Sequence, residues 1–149
     1  MTSQAFAPSA SRKNPSKNHC FACGKDNPQG MHLKFIYDEE RKCFTCNFRL
    51  SKRFTGPPGY CHGGIIATIL DDAMGKLNKL RQVLAVTAEL KVNYLRPVPL
   101  NVPLRAESRE LRVRGRRHFH LAEIMNADGK VLARGRGLFI AIDPGRLAK

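Results

Sequence analysis

Tryptophan is absent from the 149 residues, and three tyrosines with eight phenylalanines leave only 7% aromatic residues. A platform that stacks successive nucleobases needs more rings, which argues against single-strand nucleic acid as the partner. Long apolar runs are also missing. Gly, Pro or His interrupts every stretch before the roughly 20 residues needed to cross a bilayer, so a transmembrane role is excluded. Residues 1–18 lack the continuous apolar segment of a secretory signal, and the chain is expected to stay where it is made, in the cytoplasm. Five cysteines fit that reducing compartment. No Gly-x-Ser-x-Gly elbow, Ser-His-Asp arrangement or internal repeat is evident. Acidic residues are few, 12 against 26 Lys and Arg, for a formal charge of +14. Such a surface attracts a polyanion (nucleic acid, an anionic membrane or a small phosphorylated substrate), or serves solubility alone.

At 42% hydrophobic and 26% charged, the chain has enough apolar material for one core and one domain. Residues 1–18, rich in Ser, Ala and Pro with Arg12, Lys13 and Lys17 and no acid, read as a mobile basic tail. Residues 19–149 read as the folded unit. Extended segments are predicted over 33–37 and 42–50, separated by the turn Asp38-Glu39-Glu40-Arg41. Pro57-Pro58-Gly59 makes a sharp turn, and His62-Gly63-Gly64 opens a helix predicted to run to about Leu80. Its apolar set is Ile65, Ile66, Ile69, Leu70, Ala73, Met74, Leu77 and Leu80. From Leu84 the period falls to two, with Val86, Ala88, Leu90, Val92 and Tyr94 alternating against Thr87, Glu89, Lys91 and Asn93. Further strands are predicted over 102–113, 117–126 and 130–142. One long helix followed by antiparallel strands is an α+β pattern, with a sheet wrapping a central helix.

At 100° per residue, the helix face opposite the apolar stripe carries Gly64, Ala67, Thr68, Asp71, Gly75 and Asn78. Two readings of Asp71 stay open. It is either a partly desolvated carboxylate prepared as base or nucleophile among small neighbours, or an ordinary solvent-facing Asp. Asp72 points toward Lys76 and Lys79 and reads as a surface ion-pair partner. A helix start without a Ser, Thr, Asp or Asn cap leaves N–H groups for an anion or a developing oxyanion. His62-Gly63-Gly64 is equally a glycine-rich turn in which His62 satisfies a local hydrogen bond.

Cys20, Cys23, Cys43 and Cys46 fall within zinc-ribbon spacing, with His19 as a further possible ligand. Cys43 and Cys46, however, lie in a strand, where residues three apart face opposite ways. The expectation is thiols without metal, the first pair shaping a turn.

Taken together, residues 54–64 (F-T-G-P-P-G-Y-C-H-G-G), Ile69-Leu70-Asp71 and residues 87–97 (T-A-E-L-K-V-N-Y-L-R-P) resemble the hotdog-fold acyl-CoA thioesterases. The match is to the PaaI-like group, which includes the human mitochondrial thioesterase-superfamily proteins. The likeness runs from about Cys20 to the C-terminus and takes in C-F-x-C-G…N-P-x-G and residues 115–117 and 138–140. It implies a curved antiparallel sheet around the helix and a homodimer with joined sheets, open to pairing as a dimer of dimers. It also implies acyl-CoA as substrate and no cofactor. Asp71, nine residues after His62, is then base or nucleophile. The Gly63 N–H polarises the thioester carbonyl, Thr87 helps place the attacking water, and His62 completes the expected catalytic set. The substrate-binding set expected on this basis is Thr55, Gly64, Asn93, Arg96, Arg114, Arg116 and Arg117; the basic excess at the Arg112–Arg117 turn and Arg96 either takes the phosphates of CoA or is a plain solvated basic surface. Relatives carry Asn or Gln where Thr55 stands.

The chemistry suits the residues, since thioester hydrolysis needs a stabilised oxyanion and an activated water or carboxylate nucleophile. Gly63 and Asp71 lie roughly 12 Å apart along one helix, so both act on one carbonyl only if two chains share each site. Two rivals remain. One is a non-catalytic acyl-CoA-binding sensor, favoured by Thr55. The other is a zinc-containing nucleic-acid-binding module, favoured by the charge and the cysteine pairs.

Overall fold

The computed structural model describes residues 17–143, so the expected basic tail lies outside the described residues except for Lys17 and Asn18. Strands β1 (Ile36–Asp38) and β2 (Cys43–Phe48) form a hairpin. Asp38 closes its turn, its Oδ1 accepting from the Glu40 and Arg41 N–H groups. A short 3-10 turn (Lys52–Phe54) and the Pro57-Pro58-Gly59 bend then lead into helix α1 (Gly63–Gly75). Strands β3 (Ala85–Tyr94), β4 (Leu104–Arg114), β5 (Arg117–Asn126) and β6 (Val131–Ala141) follow. Neighbours in the six-stranded sheet are antiparallel, in the order β1-β2-β4-β5-β6-β3, which leaves β3 on an edge. This open sheet packed on one helix is the α+β hotdog arrangement that the motifs implied.

The helix buries Ile66, Ile69, Leu70, Ala73 and Met74 against Ala106, Ala122, Ile124, Ala133 and Phe139 of the sheet. Close approach depends on β6. A Cβ at Gly135 would stand 3.2 Å from Leu70 Cβ, and one at Gly137 would stand 3.2 Å from the end of Met74. The α-helix ends at Gly75, earlier than predicted, and the chain continues as a 3-10 helix over Lys76–Arg81. Tighter winding turns later side chains by roughly 20° more per residue. Asn78 therefore points inward, 5% exposed, instead of sharing the Asp71 face, and Leu80 is 45% exposed instead of buried.

Strict alternation also fails in β3. The register runs Thr87↔Phe139 and then Glu89↔Leu138, so Ala88 is an extra residue in a β-bulge. A bulge shifts the phase of a strand by one residue. Ala85 and Thr87 thus face the helix together with Leu90, Val92 and Tyr94, whereas the sequence pattern had placed Val86 and Ala88 there and Thr87 on the outer face.

His120 on β5 is 1% exposed; its Nε2 lies 2.8 Å from Asn78 Oδ1 and its ring 5.3 Å from Phe139. Burial holds the imidazole neutral and pulls its pKa down to about 4.

Two expectations follow for stability. Gly135→Ala should destabilise by about 1–3 kcal/mol in chemical denaturation, because Leu70 Cβ cannot move without the helix. Gly75→Ala, with open space around the new methyl, should gain up to about 1 kcal/mol. For His120, the unfolded chain takes up a proton near its ordinary pKa of 6.5, whereas the folded protein resists until about 4. The stabilisation is complete above pH 6.5 and is lost as pH falls toward 4, by about 3 kcal/mol in all. Urea unfolding at pH 7 and pH 4.5 measures it, and His120→Gln should flatten the slope.

Candidate active site

Asp71 and Thr87 meet where α1 crosses β3. The Thr87 hydroxyl donates to Asp71 Oδ1 at 2.7 Å, a contact the Ala88 bulge makes possible by turning Thr87 toward the helix. Asp71 is half-buried and Thr87 exposed, so the carboxylate is within reach of solvent.

The other cluster surrounds the helix start. His62 is the N-cap, and its Nδ1 accepts from the Gly64 N–H at 2.9 Å, while Ile65 and Ile66 donate to the His62 carbonyl. The start is thus capped by an imidazole, contrary to the reading of an uncapped terminus, and Gly64 has no spare donor. The Gly63 N–H donates to no group among the described residues. Tyr94, at the far end of β3, lies over this turn, its hydroxyl donating to the Gly63 carbonyl at 2.9 Å. Tyr94 stood in the strand pattern and in the 87–97 motif, with no role of its own expected there. Its place on the Leu90–Val92 face at the strand end was the available signal.

Gly63 and Asp71 therefore lie under opposite ends of β3, and within one chain they stay apart. The remaining expected residues are dispersed. Thr55 donates its hydroxyl proton to the Lys52 carbonyl, closing the 3-10 turn. Asn93 pairs with Arg134, in the phase of the strand that faces away from the helix. Arg96 donates to the Val131 carbonyl at 2.9 Å. Arg114 and Arg117 flank the β4–β5 turn, where Gly115 takes a φ of 58°, and Arg112 stacks 4.4 Å over the Phe119 ring. Arg116 borders an open groove with Lys79 and Gln82. Arg96 sits beside Leu132 and the turn beside Ile140, so roughly 26 Å of β6 separates them.

Asp72 departs furthest from expectation. It pairs with Lys76 at 4.0 Å, but both side chains are largely enclosed, at 11% and 16% exposure, instead of at the surface. The N-terminal loop covers them. Lys76 Nζ lies 2.9 Å from Cys23 Sγ, and the Cys20 and Cys23 sulfurs and an Asp72 oxygen lie within 4.8 Å of one another. Burial raises the Asp72 pKa, against Lys76 and the Cys23 thiol, which lower it. Burial, followed by Asp72, pushes the Cys23 thiol up to about 11. Cys43 and Cys46 are both buried and face opposite sides of β2, as predicted.

Residues 58–133 match the thioesterase superfamily. The chain belongs to that superfamily. Within it, the rat acyl-coenzyme A thioesterase THEM4 (Rattus norvegicus) is 30% identical over 132 residues, 88% of this chain and 57% of the rat protein. The chain spans just over half the length of the curated relatives it matches first. Among solved structures, a thioesterase superfamily protein aligns with a TM-score of 0.78 at 29% identity, covering 85% of this chain and 62% of that one. The BH2602 protein of Bacillus halodurans, solved with CoA, aligns with a TM-score of 0.67 at 26% identity and 76% coverage of each chain. The described residues contain no helix long and apolar enough to cross a membrane.

The capping role of His62 separates from any chemical one by substitution. His62→Ala should cost about 1 kcal/mol of stability, and His62→Asn, which keeps an acceptor at the N-cap, should restore most of it in thermal or urea unfolding.

Proposed function

We propose that this protein is an acyl-CoA thioesterase that cleaves the thioester C–S bond with water, giving a carboxylic acid and the CoA thiol. The observation that carries this reading is the Thr87–Asp71 hydrogen bond on a solvent-reachable helix face. With Oδ1 occupied by the Thr87 proton, Asp71 Oδ2 is the acceptor left for a water proton. The Thr87 oxygen accepts the second proton of that water and aims its lone pair at the carbonyl. As the bond forms, Asp71 takes the proton and later delivers it to the departing thiolate. The Gly63 N–H, which has no partner among the described residues, stabilises the oxyanion. Acyl-CoA as substrate is supported by the rat relative's name, by the CoA in the Bacillus halodurans structure, and by the cations of Lys79, Arg116 and the β4–β5 turn. Five free thiols suit a cytoplasmic setting.

Each site is built from two chains. Gly63 sits beneath Tyr94 and Asp71 beneath Thr87, at the two ends of an edge strand whose outer side has no partner among the described residues. Antiparallel pairing of β3 with its copy about a two-fold axis near Leu90 sets the Gly63 end of one chain beside the Asp71 end of the other. The non-catalytic acyl-CoA binder remains the second reading. The Thr55 hydroxyl favours it, because its proton is committed to Lys52 where relatives offer an amide.

A panel of acyl-CoA thioesters with free-thiol detection separates the two readings. Hydrolysis is expected for the wild type and should vanish in Asp71→Ala with the fold intact, whereas tight binding without turnover supports the sensor. Complementation tests the shared site. Asp71→Ala and Gly63→Pro homodimers should both be inactive, and random re-association of equal amounts should recover roughly a quarter of wild-type activity. Proven subunit exchange with no recovery refutes the arrangement.

A further inference from the structure

The N-terminal loop plays no part in the proposed chemistry, yet it is tightly built around two sulfurs. Asn18 Oδ1 accepts from the Cys20 N–H at 3.0 Å, and the Gly24 N–H donates to the Cys20 carbonyl at 2.8 Å. A Cβ on Gly24 would stand 2.4 Å from Cys20 N and 2.5 Å from the Asn18 carbonyl oxygen, so only glycine fits at the end of this Cys-x-x-Cys-Gly turn. The Cys23 N–H donates to Cys20 Sγ at 3.4 Å. The turn brings both sulfurs against α1, where they converge with an Asp72 oxygen within 4.8 Å. Asp72 Oδ2 is fully enclosed and accepts no hydrogen bond among the described residues. Its nearest positive group, the Lys76 ammonium, stands 4.0 Å away, beyond hydrogen-bond distance, and a buried carboxylate oxygen with no direct partner is costly, which a cation seated among the three donors would relieve.

We propose that Cys20, Cys23 and Asp72 bind a zinc ion, with the Lys76 ammonium donating to the Cys23 thiolate. Two sulfurs and a carboxylate suit zinc, whereas calcium and magnesium take oxygen sets. Tetrahedral zinc with Zn–S of about 2.3 Å and Zn–O of about 2.0 Å has ligand–ligand edges of about 3.5–3.8 Å. With all three donors within 4.8 Å of one another, each pair closes by no more than about 1.3 Å, within the freedom of short side chains. The second Asp72 oxygen or a water takes the fourth position. Charge balances as well. Before binding, the site holds the Asp72 carboxylate, the Lys76 ammonium and two neutral thiols. On binding, both thiols release protons, so zinc with two thiolates and one carboxylate carries a single negative charge that Lys76 neutralises. No oxidant or reductant is involved. The ion pins the N-terminal loop to the flank of α1 through the residue next to Asp71. Cys43 and Cys46, which a zinc ribbon would need, take no part.

The test uses the full chain without a histidine tag, reduced, stripped with chelator and titrated with cobalt(II) and then zinc. One cobalt per chain should bind with thiolate-to-cobalt charge-transfer absorption and tetrahedral d–d bands, and zinc should displace it and raise the melting temperature. Cys20→Ser and Cys23→Ser should lose the charge-transfer band and the zinc-dependent melting shift. Lys76→Met should weaken zinc by about tenfold, and Asp72→Asn by more. Cys61→Ser, buried elsewhere, should bind as the wild type does. Iodoacetamide mapping of the wild type needs no variant, and zinc should protect Cys20 and Cys23 from alkylation. The proposal is overturned by failure of the reduced wild type to take up stoichiometric zinc. Undiminished binding in both cysteine variants, or alkylation of Cys20 and Cys23 unchanged by zinc, overturns it equally.

Discussion

A helix can bury an apolar stripe under a sheet only as deeply as the side chains between them allow, and in this protein β6 sets that depth. Gly135 and Gly137 present no side chain, so Leu70 and Met74 sit almost on the backbone of β6. With α1 held there, its flank is brought against β3, the next strand, and Asp71 comes within hydrogen-bonding distance of Thr87. Deeper seating also draws the N-terminal turn of the helix beneath Tyr94. The candidate site is thus a consequence of how closely two elements of secondary structure lie.

The charge of the chain is arranged unevenly over this scaffold. Several acids pair with Arg side chains: Glu107 with Arg105 on its own strand and Arg41 of the β1–β2 turn, Glu123 with Arg134 on the neighbouring strand, and Glu110 with Arg81 of the 3-10 helix. The Arg ends of these pairs are solvent-reached, so each contributes modestly to stability. Their effect is to cancel positive charge locally, while Arg112, Arg114 and Arg117 gather at the β4–β5 turn and Lys79 and Arg116 border a groove that also holds Asp143. A phosphorylated ligand therefore meets a graded surface, and that serves recognition more than folding.

Periodicity carries the fold because a helix repeats at 3.6 residues and a strand at two, and residues 63–75, 104–110 and 117–124 obey those periods closely. Asp71 and the glycines of the helix start were legible for the same reason, and the family motifs located Thr87. What the sequence hid were departures from regular repeat. The bulge at Ala88 exists only relative to β6, and a strand read alone cannot reveal which residue its partner skips. Asn78 and Leu80 moved because the helix tightened after Gly75. Asp72 was misjudged because a loop some fifty residues earlier in the chain covers it, and no local pattern encodes that. Cysteine spacing likewise points along the chain, whereas the carboxylate that the Cys20 and Cys23 sulfurs approach lies on a helix some fifty residues away.

Strands β4, β5 and β6 form a meander joined by tight turns, so each hydrogen-bonded ladder closes soon after its residues are made. β3 is different. It precedes the meander in sequence, pairs only with β6 at the far end of it, and has its other edge unsupported within the chain. Such a strand can detach from the sheet without parting any other ladder, and local opening follows the route that breaks fewest contacts. Thr87 and Tyr94 both ride on it. The two halves of the candidate site are thereby placed in the same cooperative unit, so that occupancy of the site and order at this margin of the fold are thermodynamically coupled.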